Sequence, residues 1–201
     1  MVCSITFNDE STQAASGCGQ YEYVITRTWL AEDECGNLDS CDQVITVEDN
    51  TPPTPQCQDV IVYLDETGNA SISTDDVNNG SSDNCSSASE LTFALSDSDF
   101  NCLDIIPNSL PSCENDIDVE LTVTDICGNA AMCTATVTVL DTLAPIVNCH
   151  GAITVEIDDW GVAMVTLADV LGADAVSDNC GIKDTIWTDV KFSCMDVASS
   201  P

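Results

Sequence analysis

Runs of alternating apolar and polar residues, broken by Gly, Asn, Asp and Pro, recur along the whole chain. A period of two puts every second side chain on one face of a strand. Such runs predict strands at Ser4–Phe7, Tyr21–Glu32, Gln43–Val47, Val60–Leu64, Ala70–Ser73, Leu91–Leu95, Ile117–Thr124 and Thr134–Leu140. Within Tyr21–Glu32, the residues Tyr23, Ile25 and Trp29 share one parity. Asp33–Asn37 and Asp65–Asn69 read as chain-reversing turns, each carrying a Gly. Val162–Leu171 could pass for a helix, but it aligns with the stretch from Ala70 and predicts a strand followed by a single helical turn. The prolines of Glu48–Pro55 cannot donate to a ladder, so that segment is a linker. Many short strands without an amphipathic helix predict an all-β chain built as a β-sandwich.

The pattern repeats. Cys35 and Cys127, Cys41 and Cys133, Asp49 and Asp141, Pro53 and Pro145, and Cys57 and Cys149 are each separated by 92 positions. Self-similarity at a fixed spacing is the mark of a modular array. From residue 142 the order restarts: Asp158 matches Asp65, Gly161 matches Gly68, Asp178-Asn179-Cys180 matches Asp83-Asn84-Cys85, and Phe192-Ser193-Cys194 matches Phe100-Asn101-Cys102. The expected organisation is one complete module, 50–141, between two half-modules: 1–49 carries a C-terminal half and 142–201 an N-terminal half.

Charge changes the picture next. Against 35 acidic residues stand Arg27, Lys183 and Lys191, a net charge of −32. Such a surface repels nucleic acid and anionic membranes, whose phosphates require cations, and it needs salt or bound cations for screening. Hydrophobic content of 44% still suffices for packed cores. The 13 cysteines stand singly, with no Cys-x-x-Cys pair and one histidine, His150, so zinc fits poorly. Disulfides in an oxidising, extracellular setting fit well. Met1–Cys3 lacks the basic start and apolar run of a signal peptide, and no apolar stretch approaches a membrane span. Neither a phosphate-binding Gly-rich loop, nor a His-Glu-x-x-His helix, nor a Gly-x-Ser-x-Gly elbow occurs, so catalysis is not expected.

The order Pro-x-x-x-Cys, Leu-Asp-x-x-Gly, Asp-Asn-Cys, Val-Thr-Asp-x-Cys-Gly-Asn, then Cys and Thr-Val-Thr-Val, resembles hyalin-repeat-type immunoglobulin-like modules. It is similar also to the Cys-bearing repeats of large surface adhesins of gliding Bacteroidota. The resemblance implies tandem extracellular Ig-like sandwiches serving adhesion or spacing, and no catalysis. The sandwich order suggests three disulfides in the central module. Cys57 and Cys133 begin its first and last strands, Cys85 and Cys102 bracket Leu91–Leu95, and Cys113 is left with Cys127. By analogy the flanks would pair Cys149 with Cys41, Cys180 with Cys194, and Cys18 with Cys35, leaving Cys3 over.

Whether one chain can close its own flanking halves is a matter of distance. Strands of seven or eight residues separate the two poles of a sandwich by roughly 25 Å, whereas a disulfide needs Cα atoms within about 7 Å. The expectation is that 142–201 of one copy completes a module with 1–49 of the next, head to tail. Arrangements that do not close form filaments.

Five acids recur in both copies: Asp33/Asp125, Asp49/Asp141, Asp65/Asp158, Asp76/Asp169 and Asp83/Asp178. Strand directions put Asp49, Asp76, Asp83 and Asp125 at one pole. Asp65 and Asp141 fall at the other, with Asp169 and Asp178 of the following module. Carboxylates so gathered call for a hard cation with oxygen ligands, and calcium suits them better than magnesium. The Glu48–Pro53 and Leu140–Pro145 linkers are also similar to cadherin-type calcium linkers. Asn69, Asn79 and Asn84 fit the N-glycosylation pattern. The function expected is a structural repeat of an extracellular fibre. The alternative is an adhesion module binding a surface glycan or protein, for which Trp160 and Trp187 would be the exposed aromatic candidates.

Overall fold

The computed structural model describes residues 4–105, 114–182, 186, 188 and 190–194, without the side chains of 172–174. The chain is all-β, with two single-turn helices among the described residues. In order come β1 (Ser4–Ser11), a 3-10 turn (Cys18–Gln20), β2 (Tyr23–Glu32), β3 (Leu38–Val47), β4 (Val60–Tyr63), β5 (Asn69–Ser71), α1 (Thr74–Val77), β6 (Thr92–Leu95), β7 (Asp99–Asn101), β8 (Glu114–Thr124) and β9 (Ala130–Leu140). Then follow β10 (Ile146–Cys149), β11 (Val162–Val165), α2 (Leu167–Val170), β12 (Leu171–Ser177) and β13 (Val190–Ser193). Strand β11 followed by the turn α2 is the reading expected for Val162–Leu171. The short strands β7 and β13 have no alternating run to announce them; each is fixed by pairing with its neighbour, β5 or β11.

The strands form a three-stranded sheet, β1-β2-β3, a four-stranded sheet in the order β4-β9-β8-β6, and the pairs β5-β7, β10-β12 and β11-β13. Along β8 and β9 the alternation of the sequence becomes alternation of burial. Val119, Leu121, Val123, Val137 and Val139 are fully buried, and Ala135 nearly so, between neighbours that reach solvent. By compactness the chain divides into one unit of 1–60, 72–98 and 116–137, and another of 61–71, 99–115 and 138–201.

In the first unit β1, β2 and β3 run antiparallel in register, with Phe7 opposite Trp29 and Trp29 opposite Cys41. Asp9 faces Arg27, which donates through Nε and Nη2 to its two carboxylate oxygens at 2.8 and 2.7 Å. The guanidinium also stacks 4.1 Å above the Phe7 ring. Disulfides tie Cys57 to Cys133 and Cys18 to Cys127. In the second unit β5 pairs with β7, β10 with β12 and β11 with β13, over a core that includes Val62, Leu64, Phe100, Ala163 and Val165. Cys102 is bonded to Cys180 there.

Cys57–Cys133 is the pair that the strand order suggested. Four of the other pairings need correction. Cys85 and Cys102 do not pair: β7 intervenes, pairs with β5, and carries Cys102 into the second unit, while Cys85 stays in the first as a free thiol. The partner of Cys127 is Cys18, not Cys113, because the 3-10 turn brings Cys18 to the Asp125–Asn129 turn, with Cα atoms 4.7 Å apart. That bond leaves Cys35 free rather than joined to Cys18, and the Cys102–Cys180 bond leaves Cys194 free rather than joined to Cys180. Cys41 and Cys149 are also free and exposed. Cys3, Cys113 and Trp187 lie outside the described residues.

Candidate cation site

Three of the recurring acids meet in the first unit. Asp125 opens the turn between β8 and β9. Its Oδ1 accepts the amides of Cys127 and Asn129 at 2.9 and 2.8 Å, and its Oδ2 accepts Asn129 Nδ2 at 2.9 Å. The same Nδ2 donates to the backbone carbonyl of Asp49 at 2.8 Å, which ties the linker to the turn. Asp83 holds its own loop through Oδ2, which accepts the amides of Cys85 and Ser86 at 2.8 and 2.7 Å. Asp49 Oδ1 accepts Thr51 N–H at 3.2 Å.

Together Asp49, Asp83 and Asp125 each offer a carboxylate oxygen within 4.8 Å of the others. Asp49 and Asp125 are only 4% exposed. Two oxygens of the group, Asp49 Oδ2 and Asp83 Oδ1, are buried with no hydrogen-bond partner. Burying charge without a partner is costly, and among the described residues no Lys or Arg forms an ion pair with the group, Arg27 being engaged by Asp9. Oxygens bound to one calcium ion at about 2.4 Å can stand up to twice that distance apart. The geometry, the orphaned oxygens and the all-oxygen donor set therefore fit a hard divalent cation.

Burial pushes the Asp83 carboxyl up, but the amides of Ser86, Cys85 and Asn84 together hold it below the ordinary range. Burial, then the charges of Asp49 and Asp83, push the neighbouring Cys85 thiol above its usual value.

The remaining candidate acids do something else. Asp76 and Asp169 close capping boxes: Oδ2 of Asp76 accepts the amide and hydroxyl of Ser73, and Oδ2 of Asp169 those of Thr166. Asp33, Asp65 and Asp158 hold turns. Asp33 Oδ1 accepts the amides of Cys35 and Asn37, Asp65 Oδ1 those of Thr67 and Asn69, and Asp158 Oδ1 those of Trp160 and Val162. The Asn37 side chain first, and then these amides, hold the Asp33 carboxyl below the ordinary range, and the Thr67 hydroxyl with its neighbouring amides does the same for Asp65.

In the second unit Asn179 joins Asp65 and Asp141. Its Nδ2 donates to the carbonyl of Asp65 at 3.1 Å and to Asp141 Oδ1 at 3.2 Å, while its own Oδ1 is buried without a partner. Asp178 beside it accepts Cys180 N–H at 2.9 Å. Among the described residues neither Asp141 nor Asp178 belongs to a group of three acids at ligating distance. Cys18, Glu22 and Cys127 also lie close together, but the two sulfurs are bonded to each other and offer no thiolate. Sequence reasoning missed Asn129 and Asn179, the amides that bridge linker and loop. Asn129 stood in view as the last residue of the Asp-x-x-Gly-Asn turn, and Asn179 as the middle of Asp-Asn-Cys. The three glycosylation candidates, Asn69, Asn79 and Asn84, are all exposed.

No protein-family model matches the chain, and no curated protein matches it. No helix among the described residues is long and apolar enough to cross a membrane.

Proposed function

We propose that the chain is a structural repeat of an extracellular head-to-tail fibre. In this reading Ig-like β-sandwich modules follow one another, tied by disulfides and stiffened by calcium where they join. One observation carries it. The face of β2 and β3 that bears Trp29 and Cys41 is the image, 92 positions earlier, of the β8–β9 face that bears Leu121 and Cys133. On β8 and β9 that face is buried and Cys133 is bonded to Cys57. On the other sheet Cys41 is an exposed free thiol, Ile5 and Phe7 on the same parity are 67% and 55% exposed, and Cys149, the image of Cys57, is free as well. A second copy supplies what each flank lacks: its 142–201 segment brings Cys149 and the apolar Ile153 and Val155, both exposed. Covering an apolar face at about 25 cal/mol per Å² is the driving force, and a disulfide then makes the contact permanent.

Calcium enters through Asp49, Asp83 and Asp125, whose two orphaned oxygens are the ones an ion would occupy. What calcium would supply when bound is positive charge, which the carboxylate oxygens would coordinate. The residues themselves fix the linker against the turn through the Asn129 bridge, and Ile126 N–H, donating to Ser86 Oγ at 3.3 Å, ties the turn to the Asp83 loop. Disulfides and acidity together suit a secreted setting. Sedimentation and negative-stain microscopy of oxidised protein test the reading, with calcium and with chelator. Straight oligomers in calcium that become flexible in chelator, without loss of β content, support it. A monomer that keeps Cys41 and Cys149 fully alkylatable in both conditions defeats it.

A further inference from the structure

The repeat relation also translates the disulfide that was not foreseen. Cys102 of the central module is bonded to Cys180 of the segment that begins the next module. Both cysteines have an image elsewhere in the chain: Cys194 repeats Cys102, and Cys85 repeats Cys180. Both images are free thiols.

Each image keeps the setting of the bonded original. Strand β7 pairs with β5 so that Phe100 faces Ala70, and β13 pairs with β11 so that Phe192 faces Ala163. Past the strand end, Cys102 N–H donates to the Gly68 carbonyl at 3.2 Å, and Cys194 N–H to the Gly161 carbonyl at 3.3 Å. Both glycines have positive φ, 75° and 77°. A Cβ at Gly68 would stand 2.5 Å from Cys102 Sγ, and one at Gly161 would stand 3.2 Å from Cys194 Sγ, so each sulfur lies over a bare glycine. On the other side, Cys180 N–H donates to Asp178 Oδ1 at 2.9 Å and Cys85 N–H to Asp83 Oδ2 at 2.8 Å, each within an Asp-Asn-Cys turn. The two halves of the observed bond are thus duplicated in the chain, each without its mate.

Resting on the head-to-tail reading, we infer that Cys194 of one copy forms a disulfide with Cys85 of the next copy's central module. The bond joins successive modules as Cys102–Cys180 does, whereas Cys149–Cys41 closes a single module from two chains. Copies are therefore linked twice. Closure needs a two-electron oxidant, and a small-molecule disulfide such as oxidised glutathione serves. One cysteine thiolate displaces a small thiol to form a mixed disulfide. The second thiolate then attacks the protein sulfur of that bond and releases the other small thiol. Two protein thiols become one disulfide, and the oxidant leaves as two thiols.

The test uses full-length chain, one batch uniformly ¹⁵N-labelled and one unlabelled, mixed when reduced, assembled under a glutathione redox buffer, and mapped by mass spectrometry without reduction. The expected result is a Cys194–Cys85 peptide in which half the molecules join a labelled to an unlabelled chain. Cys194→Ser should turn Cys85 from unreactive to stoichiometrically alkylatable, and Cys85→Ser should do the same for Cys194. Both variants should retain the Cys149–Cys41 link. Recovery of Cys149–Cys41 with Cys85 and Cys194 as thiols overturns this inference and leaves the fibre reading standing. A Cys194–Cys85 peptide found only within single chains overturns it as well. Absence of every mixed-label peptide overturns both.

Discussion

The β8–β9 hairpin and the β2–β3 hairpin are the same sentence in two settings. Position for position at a spacing of 92, Val119, Leu121, Val123 and Asp125 correspond to Arg27, Trp29, Ala31 and Asp33, and Cys133, Ala135, Val137 and Val139 to Cys41, Gln43, Ile45 and Val47. The turns are alike in detail. Asp125 and Asp33 each accept two backbone amides on Oδ1 and the Asn side chain on Oδ2. The faces are not alike. Leu121 is fully buried, Trp29 is half-buried, and Phe7 beside it is exposed. Turn and pairing are local properties that travel with the sequence. Burial and disulfide closure depend on what packs against the face, and of these two hairpins it is β8–β9 that carries the fully buried side chains and the cysteine bonded to Cys57. Where Val119 sits in the buried face, the other face has Arg27, held by Asp9 and covered by Phe7. A bidentate ion pair can be buried with its charges satisfied, an aliphatic core can be buried outright, and a lone Arg can be neither.

The comparison can be broken most directly at its core. Leu121→Ala should cost the isolated chain about 2–5 kcal/mol, as large-to-small changes in packed cores do. Trp29→Ala, at the corresponding position, should cost the isolated chain about 1 kcal/mol and rise to about 3–5 kcal/mol once copies assemble over it. Denaturant unfolding of reduced monomer and oxidised oligomer gives both values. Equal costs in the monomer would mean that the two faces are equally packed.

A second test concerns the cation. Asp125→Asn should weaken calcium binding at least tenfold, about 1.4 kcal/mol, whereas Asp33→Asn in the matching turn should leave the isolated chain's affinity unchanged. Isothermal calorimetry decides between them. Equal losses would place the ion outside the Asp49–Asp83–Asp125 group.

Asp9→Asn is the gentler probe. The Arg27 pair is partly exposed in the single chain, where solvent screens it, so losing it should leave that chain's stability little changed. In an assembled module the stranded Arg27 charge would be buried, and the cost should climb to about 3–5 kcal/mol.

The smallest effect is the acid titration of Asp33. The Asn37 side chain, the first of several donors, holds its carboxyl below the ordinary range, so the charged form is favoured in the folded chain. The resulting stability is complete above the unfolded carboxylate value near about 3.9 and is lost as pH falls through the lower folded value. Carboxyl-carbon NMR titration reads this directly, and a midpoint at or above the ordinary value would contradict the turn geometry.

Strands with clear alternation, such as β2, β8 and β9, were legible in the sequence, and so were the two Asp-opened turns with Gly68 and Gly161. Their chemistry is short-range. The strands β7, β10 and β13 were not, because three or four residues carry no reliable period and only a pairing partner fixes them, and the seven residues of β12, Leu-Gly-Ala-Asp-Ala-Val-Ser, alternate only weakly. The same limit explains the disulfides. Cys57–Cys133 follows from two strand starts, but Cys102–Cys180 depends on where β7 leads, and Cys18–Cys127 on a 3-10 turn hidden in a polar loop. Recurrence of five acids marked the cation candidates but could not sort ligands from caps. Asp76 has a Ser three residues before it and Asp169 a Thr, and those hydroxyls claim the carboxylates. Asp49 and Asp83 keep an oxygen that nothing claims.

The central claim is that a second copy covers the face bearing Cys41. Mixed-isotope assembly followed by non-reducing peptide mapping at Cys41 and Cys149 tests it most directly. The account predicts a Cys41–Cys149 peptide that joins labelled to unlabelled chains in statistical proportion. Uniformly labelled Cys41–Cys149 peptides, or both cysteines recovered as alkylated thiols after complete oxidation, would contradict it.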